Sequence, residues 1–77
     1  MPETIHIGFG FKKDEDWEIC RSKLRRIFRA EPYGNFMMID GELGLVIQKL
    51  VEEFTQIEIL KLPQPMGFGI NIQIKKI

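Results

Sequence analysis

Two short alternating phrases bracket the chain and constrain its fold more than anything between them. Residues 5–10 read Ile-His-Ile-Gly-Phe-Gly, and residues 67–72 read the pattern in reverse, Gly-Phe-Gly-Ile-Asn-Ile. Alternation with a period of two sends successive side chains to opposite faces of a strand. Ile5, Ile7, Phe9 and Phe11 therefore share one face of an N-terminal strand over 4–11. Phe68, Ile70, Ile72 and Ile74 share one face of a C-terminal strand over 68–75. Both strands are expected in one small sheet. On its other face His6, Gly8 and Gly10 lie beside Asn71, Gln73 and Lys75, and the glycines leave that face nearly bare.

Between the two phrases the period changes to that of a helix. Asp14 is the expected N-cap of a helix running to about Ala30, with acids in its first turn and arginines in its last, as the helix dipole favours. Its apolar stripe is Trp17, Cys20, Leu24, Ile27 and Phe28. Residues 31–35, Glu-Pro-Tyr-Gly-Asn, end the helix and turn the chain. Phe36 to Ile39 reads as a short buried strand. Leu43, Val46, Ile47, Leu50, Val51 and Phe54 then fall at helical spacing, which outweighs the hairpin signal of Asp40-Gly41 and makes Asp40 the N-cap of a second helix. A third strand covers 56–62, with a phase reversal at Leu60 that a bulge would explain. Pro63 to Gly67 is too stiff for a tight turn and reads as an extended connection.

The order is thus β-α-β-α-β-β, predicting an α/β two-layer sandwich: a four-stranded mixed sheet with two helices on one face. If both crossovers are right-handed, the first three strands run parallel and the last is antiparallel to its hairpin partner. Seventy-seven residues make a single domain over 1–77, near the lower limit for a self-supporting core.

That order in so short a chain resembles the C-terminal domain of bacterial translation initiation factor 3. The points of contact are the basic first helix (Lys23-Leu24-Arg25-Arg26), Glu58 and Pro63 around the third strand, and a last strand that follows a glycine and ends in Lys75-Lys76. The resemblance implies the two-layer fold and places the second strand between the first and the last. The family's arginine- and glycine-rich loop has no counterpart, because Ile39-Asp40-Gly41 leaves no room for it. Without that resemblance, first and last strands that pair antiparallel would set Phe9 against Phe68, Ile7 against Ile70 and Ile5 against Ile72.

The charge balance narrows the function classes. Eleven basic and eleven acidic residues give a net charge of zero, so no global field draws the chain to nucleic acid or membrane. The distribution is uneven, however: Arg21, Lys23, Arg25, Arg26 and Arg29 occupy 21–29 with no acid among them. Arg21, Arg25 and Arg29 form a line along the first helix beside its apolar stripe, and guanidinium groups on a rigid helix suit phosphates. The primary expectation is a non-enzymatic binding protein for RNA or a ribonucleoprotein, with Arg21, Lys23, Arg25, Arg26 and Arg29 holding phosphates and Lys75 and Lys76 adding field. The alternative is a protein-interaction module, an adaptor or inhibitor of a larger complex, using the same arginines with the exposed Ile19 or the open sheet face. The plainest alternative to either is a solvated helix face with Glu18 paired to Arg21 or Arg25.

Catalysis has little support. His6 is the sole histidine and no nucleophile is placed with it, Cys20 lies on a buried stripe, and Asp14, Glu15 and Asp16 diverge around a helix start. No catalytic residue, metal ligand or cofactor is expected. The single cysteine and the absence of an apolar run of ~18 residues point to a cytoplasmic protein with no membrane contact. Four consecutive apolar residues, Phe36 to Ile39, must face both sides of their strand, which sets two of them on the open side with Leu60 or Leu62. Such an area makes a homodimer a candidate partner state.

Overall fold

The N-terminal alternation forms β1, Glu3–Phe9, and this strand becomes the centre of a five-stranded mixed sheet. A computed structural model describes residues 3–10, 14–63 and 68–76, with side chains of the first helix described from Trp17 onward. The remaining elements are α1 (Asp14–Phe28), β2 (Glu31–Tyr33), β3 (Phe36–Gly41), α2 (Leu43–Glu53), β4 (Ile57–Leu62) and β5 (Ile70–Lys76). The strand order across the sheet is β2-β3-β1-β5-β4. The α/β class with two helices is as expected; the fifth strand is not.

That extra strand is β2. Glu31, Pro32 and Tyr33 pair antiparallel with Met38, Met37 and Phe36. Proline lacks the N–H of a ladder donor and is tolerated only at a sheet edge, where β2 lies. Gly34, at φ +59, opens the two-residue connection to β3 in the left-handed conformation that the first central position of such hairpins favours. The segment expected as a turn is therefore a hairpin.

This hairpin also corrects the expected strand directions. β3 runs antiparallel to β1, and β5 runs parallel to it, with Ile5 opposite Ile70, Ile7 opposite Ile72 and Phe9 opposite Ile74. Each helix still joins parallel strands, because β2 is antiparallel to β3 and β3 to β1, while β4 is antiparallel to β5. The reversal inside the hairpin is what turns β3 against β1. Neither expected arrangement of the mirrored phrases occurs: they are neighbours but parallel, and β3 lies outside the β1–β5 pair. The antiparallel pairing expected for the last two strands is present as β4–β5.

One face of the sheet packs under both helices. Ile5 and Ile7 of β1, Met37 and Ile39 of β3, and Ile72 and Ile74 of β5 form one buried cluster with Cys20 and Leu24 of α1 and Val46, Leu50 and Phe54. Each such side chain contributes roughly 1.5–3 kcal/mol on full burial. Phe9, Ile27, Phe28, Leu43, Ile57, Ile59 and Ile70 pack against this cluster from its edges. The helix stripes read from the sequence are thus the buried ones, although Val51 is exposed.

Local details differ for physical reasons. Asp40 stays in β3, where its carboxylate accepts a hydrogen bond from the Thr4 hydroxyl at 3.1 Å, so α2 begins after Glu42 without a side-chain cap. The pairing of β4 with β5 is unbroken from Ile57 to Leu62, so no bulge corrects the phase at Leu60. Leu60 and Leu62 consequently face away from the helices. α1 ends at Phe28, and Arg29 turns into the left-handed region at φ 56, with the Ala30 N–H donating to the Leu24 carbonyl at 3.4 Å. The expected N-cap side chain of Asp14, Phe11 and the connection over 64–67 lie outside the described residues.

Candidate functional site

The helix packing fixes where the cations point. With Cys20 and Leu24 buried against the sheet, Arg25, Arg26 and Arg29 are exposed, and among the described residues none has a hydrogen bond or ion pair. Arg21 is partly committed: its guanidinium lies 4.4 Å from the Trp17 ring centroid and 3.1 Å from the Glu18 carboxylate. Trp17 in turn meets Phe9 edge-on at 5.3 Å, so this arginine is held against the sheet's end.

Lys23 shares a groove with Arg26 and also reaches the second helix. Its ammonium donates to the Glu53 carbonyl and stands 5.0 Å from the Phe54 ring centroid. It satisfies a carbonyl at the C-terminus of α2, where a cation is favoured by the helix dipole. Lys76 lies on the helix side, lining a groove with Ile19, Cys20, Lys23 and Phe54. Lys75 points to the opposite face of β5, opposite Glu58 in the β4 register. The structure therefore places Arg21, Arg25 and Arg26 on α1 and Arg29 just past its end, in a groove with Glu31, Met38 and Asp40, while Lys23 reaches α2 and Lys75 lies on the other face of the sheet. Ile19 is 63% exposed, in a groove with Glu18, Ser22, Lys23 and Arg26.

The open face of the sheet is not bare. Across its middle row lie Glu31, Met38, His6, Asn71 and Leu62, and across the next Tyr33, Phe36, Gly8, Gln73 and Leu60. The Phe36 ring lies over Gly8, where a Cβ would come within 2.8 Å of it. Phe68 arrives from the other side. Gly69, at φ +69, breaks the alternation, so Phe68 crosses to the open face instead of sharing a face with Ile70. Its ring stands perpendicular to His6 at 4.8 Å and to Tyr33 at 6.2 Å. A Cβ on residue 69 would run into the Thr4 carbonyl oxygen, so only glycine permits this crossing.

Under these rings His6 is fully buried, and Asn71, beside it in register, is 1% exposed. Both imidazole nitrogens and both Asn71 amide atoms lack a hydrogen-bond partner among the described residues. Burial without an acceptor pushes the His6 imidazole below its usual pKa of 6.5, because the charged form loses its water. Each unsatisfied buried group costs about 1–3 kcal/mol, so the row is held together by the rings around it rather than by polar contacts.

Sequence reasoning located the faces of His6 and Asn71 but missed the aromatic trio Tyr33, Phe36 and Phe68. Phe36 was legible from the four-residue apolar run; Tyr33 and Phe68 depend on Gly34 and Gly69 conformations that no periodicity encodes. Among the described residues no three His, Cys, Asp or Glu side chains converge as metal ligands, and no helix is long and apolar enough to cross a membrane. No family model matches the chain, and neither a curated protein nor a solved structure matches it.

Proposed function

We propose that this chain is a small non-enzymatic binding protein that holds RNA, or the RNA of a ribonucleoprotein, on the outer surface of α1. The observation that carries this reading is the set of three exposed guanidinium groups, Arg25, Arg26 and Arg29, without an ionic partner among the described residues. Glu18 pairs with Arg21 and Glu53 with Lys49, while Glu31 and Asp40 line a groove with Arg29. Arg21, over the Trp17 ring at 4.4 Å, extends the same surface by one helical turn. Guanidinium forks on a rigid helix bind phosphates through paired hydrogen bonds and release of condensed cations. Lys23 takes no part, and Lys75 belongs to another face.

Fluorescence anisotropy with a labelled single-stranded RNA tests this. Three or four phosphate contacts give a slope of about −2 to −3 in log affinity against log salt, at about −0.7 per contact. The Arg25→Glu/Arg29→Glu double variant should lose binding while staying folded, with its thermal midpoint lowered only by the charge reversal at the C-terminus of α1. Binding left intact by this charge reversal would refute the assignment. Ile19, exposed in its groove beside Lys23 and Arg26, favours a second reading: an acidic protein segment seated on the same helix. A pull-down whose product survives nuclease and depends on Ile19 would select that reading.

A further inference from the structure

The open face of the sheet supports a separate inference, independent of what α1 binds. We propose that this face is a homodimer interface, on which a second copy of the chain packs sheet to sheet about a two-fold axis near Asn71. Its composition has the anatomy of an interface. Tyr33, Phe36, Met38, Phe68, Leu60 and Leu62 form an apolar patch, Tyr33 and Phe68 being 41% and 47% exposed. Charged groups (Glu31, Asp40, Glu58 and Lys75) stand only at its rim. Aromatic and methionine side chains at the centre with charges at the rim are the compositional signature of protein–protein contacts.

Three observations select a second copy over other occupants. The rim carries both signs, Glu31 and Asp40 beside Arg29 and Glu58 opposite Lys75, which offers a phosphate backbone no uniformly cationic surface and lets a second copy meet unlike charges. At the usual strand spacing, four strands of six or seven residues and the three-residue β2 cover roughly 430 Å² in plan, below the ~800 Å² of a standard interface, which suits a concentration-dependent self-association. The unsatisfied groups also lie at the centre. His6 is the middle residue of the middle strand, with Asn71 beside it in register.

A carboxamide is both donor and acceptor, so two Asn71 side chains related by a two-fold axis satisfy each other. A buried asparagine pair of this kind sets register in other symmetric interfaces. Reaching the row takes rotation of the half-exposed Phe68 ring, a side-chain change of the size that commonly accompanies association. The helices cover the opposite face, so the dimer has four layers with both α1 surfaces outward.

Sedimentation velocity from about 1 to 200 µM, which brackets micromolar affinities, reads the assembly directly. The expected result is a species of twice the 9.0 kDa chain mass at the upper end. Tyr33→Lys and Leu60→Lys, both at incompletely buried positions, should weaken dimerisation at least 100-fold with circular dichroism unchanged. Isotope-filtered NMR on the dimer should show intermolecular contacts from the Met38, Leu60 and Leu62 methyl groups. A monomer throughout the range, a dimer indifferent to both lysine variants, or intermolecular contacts confined to the helices would each overturn the inference. None of these outcomes alters the RNA measurement, which reads α1 alone.

Discussion

Acidifying the protein from pH 7.5 to 5.5 should destabilise it through one group, His6. Its imidazole is buried beneath Phe68 and beside Tyr33 and Phe36, with no acceptor for either nitrogen. Burial lowers the folded pKa below 6.5, so between the two values the unfolded chain binds the proton and the folded chain does not. Unfolding is then proton-coupled: the contribution is fully present above 6.5 and is lost as pH falls. A folded state that refused the proton altogether would lose about 1.4 kcal/mol at pH 5.5, which is the ceiling. The cover over the ring is one side chain thick, since Phe68 is itself 47% exposed, so the observed loss should lie below that ceiling. Urea denaturation at both pH values, at one fixed protein concentration, measures it. The His6→Leu variant should be nearly flat over this window, which lies above the ordinary carboxylate range. At pH 7.5 it should match the parent or exceed it by up to about 2 kcal/mol, because an apolar group replaces two unsatisfied nitrogens. Equal pH dependence in parent and variant would refute the reasoning.

Other substitutions test the placements individually. Gly69→Ala combines a left-handed φ with a collision against the Thr4 carbonyl and should cost roughly 2–4 kcal/mol in a denaturant titration. Lys23→Met should cost about 1 kcal/mol by removing the α2 carbonyl contact and the stacking on Phe54, yet leave RNA affinity within twofold. Arg29→Gly should raise stability by about 0.5–1 kcal/mol, since glycine suits the φ of 56 that closes α1, while lowering RNA affinity. A fall in both quantities would show that Arg29 stabilises the helix end through its side chain.

What could be read from the sequence was local in origin. The buried stripes of both helices follow from spacing, and Ile5, Ile7, Ile72 and Ile74 follow from alternation, so the core was visible before the fold. The β4–β5 hairpin was also legible. Missed features depend on backbone choices made in competition with tertiary structure. Glu31 to Tyr33 contains a proline and has only three residues, so its strand character exists only against Met37 and Met38. Once that hairpin forms, β3 must reverse, and the direction of every later strand follows. Lys23 illustrates the same limit at the site. Its helical position sets it beside Arg26, but its contact with the Glu53 carbonyl, 30 residues away, is encoded in no spacing.

The glycines of the two terminal phrases now have distinct causes. Gly8 leaves room for the Phe36 ring to lie across β1, and Gly69 turns the chain so that Phe68 stands over His6. Gly34 closes the hairpin that brings Tyr33 opposite Phe36. Three separate backbone features thus deliver three aromatic rings to one face, and each carries the entropic cost that glycine imposes on a strand or turn. A face meant only for water needs none of them; polar residues at 8, 36 and 68 would serve it better. The face is therefore a built surface, separated from Arg21, Arg25 and Arg26 by the sheet and the helix layer, with Arg29 alone bordering it where it lines a groove with Glu31, Met38 and Asp40. Because the two share no side chain, substitutions at Tyr33 or Leu60 and at Arg25 should combine additively, to within about 0.5 kcal/mol, in the stability of the fold. A larger coupling would mean that the helix and the open face act as one site, contrary to their placement on opposite sides of β1.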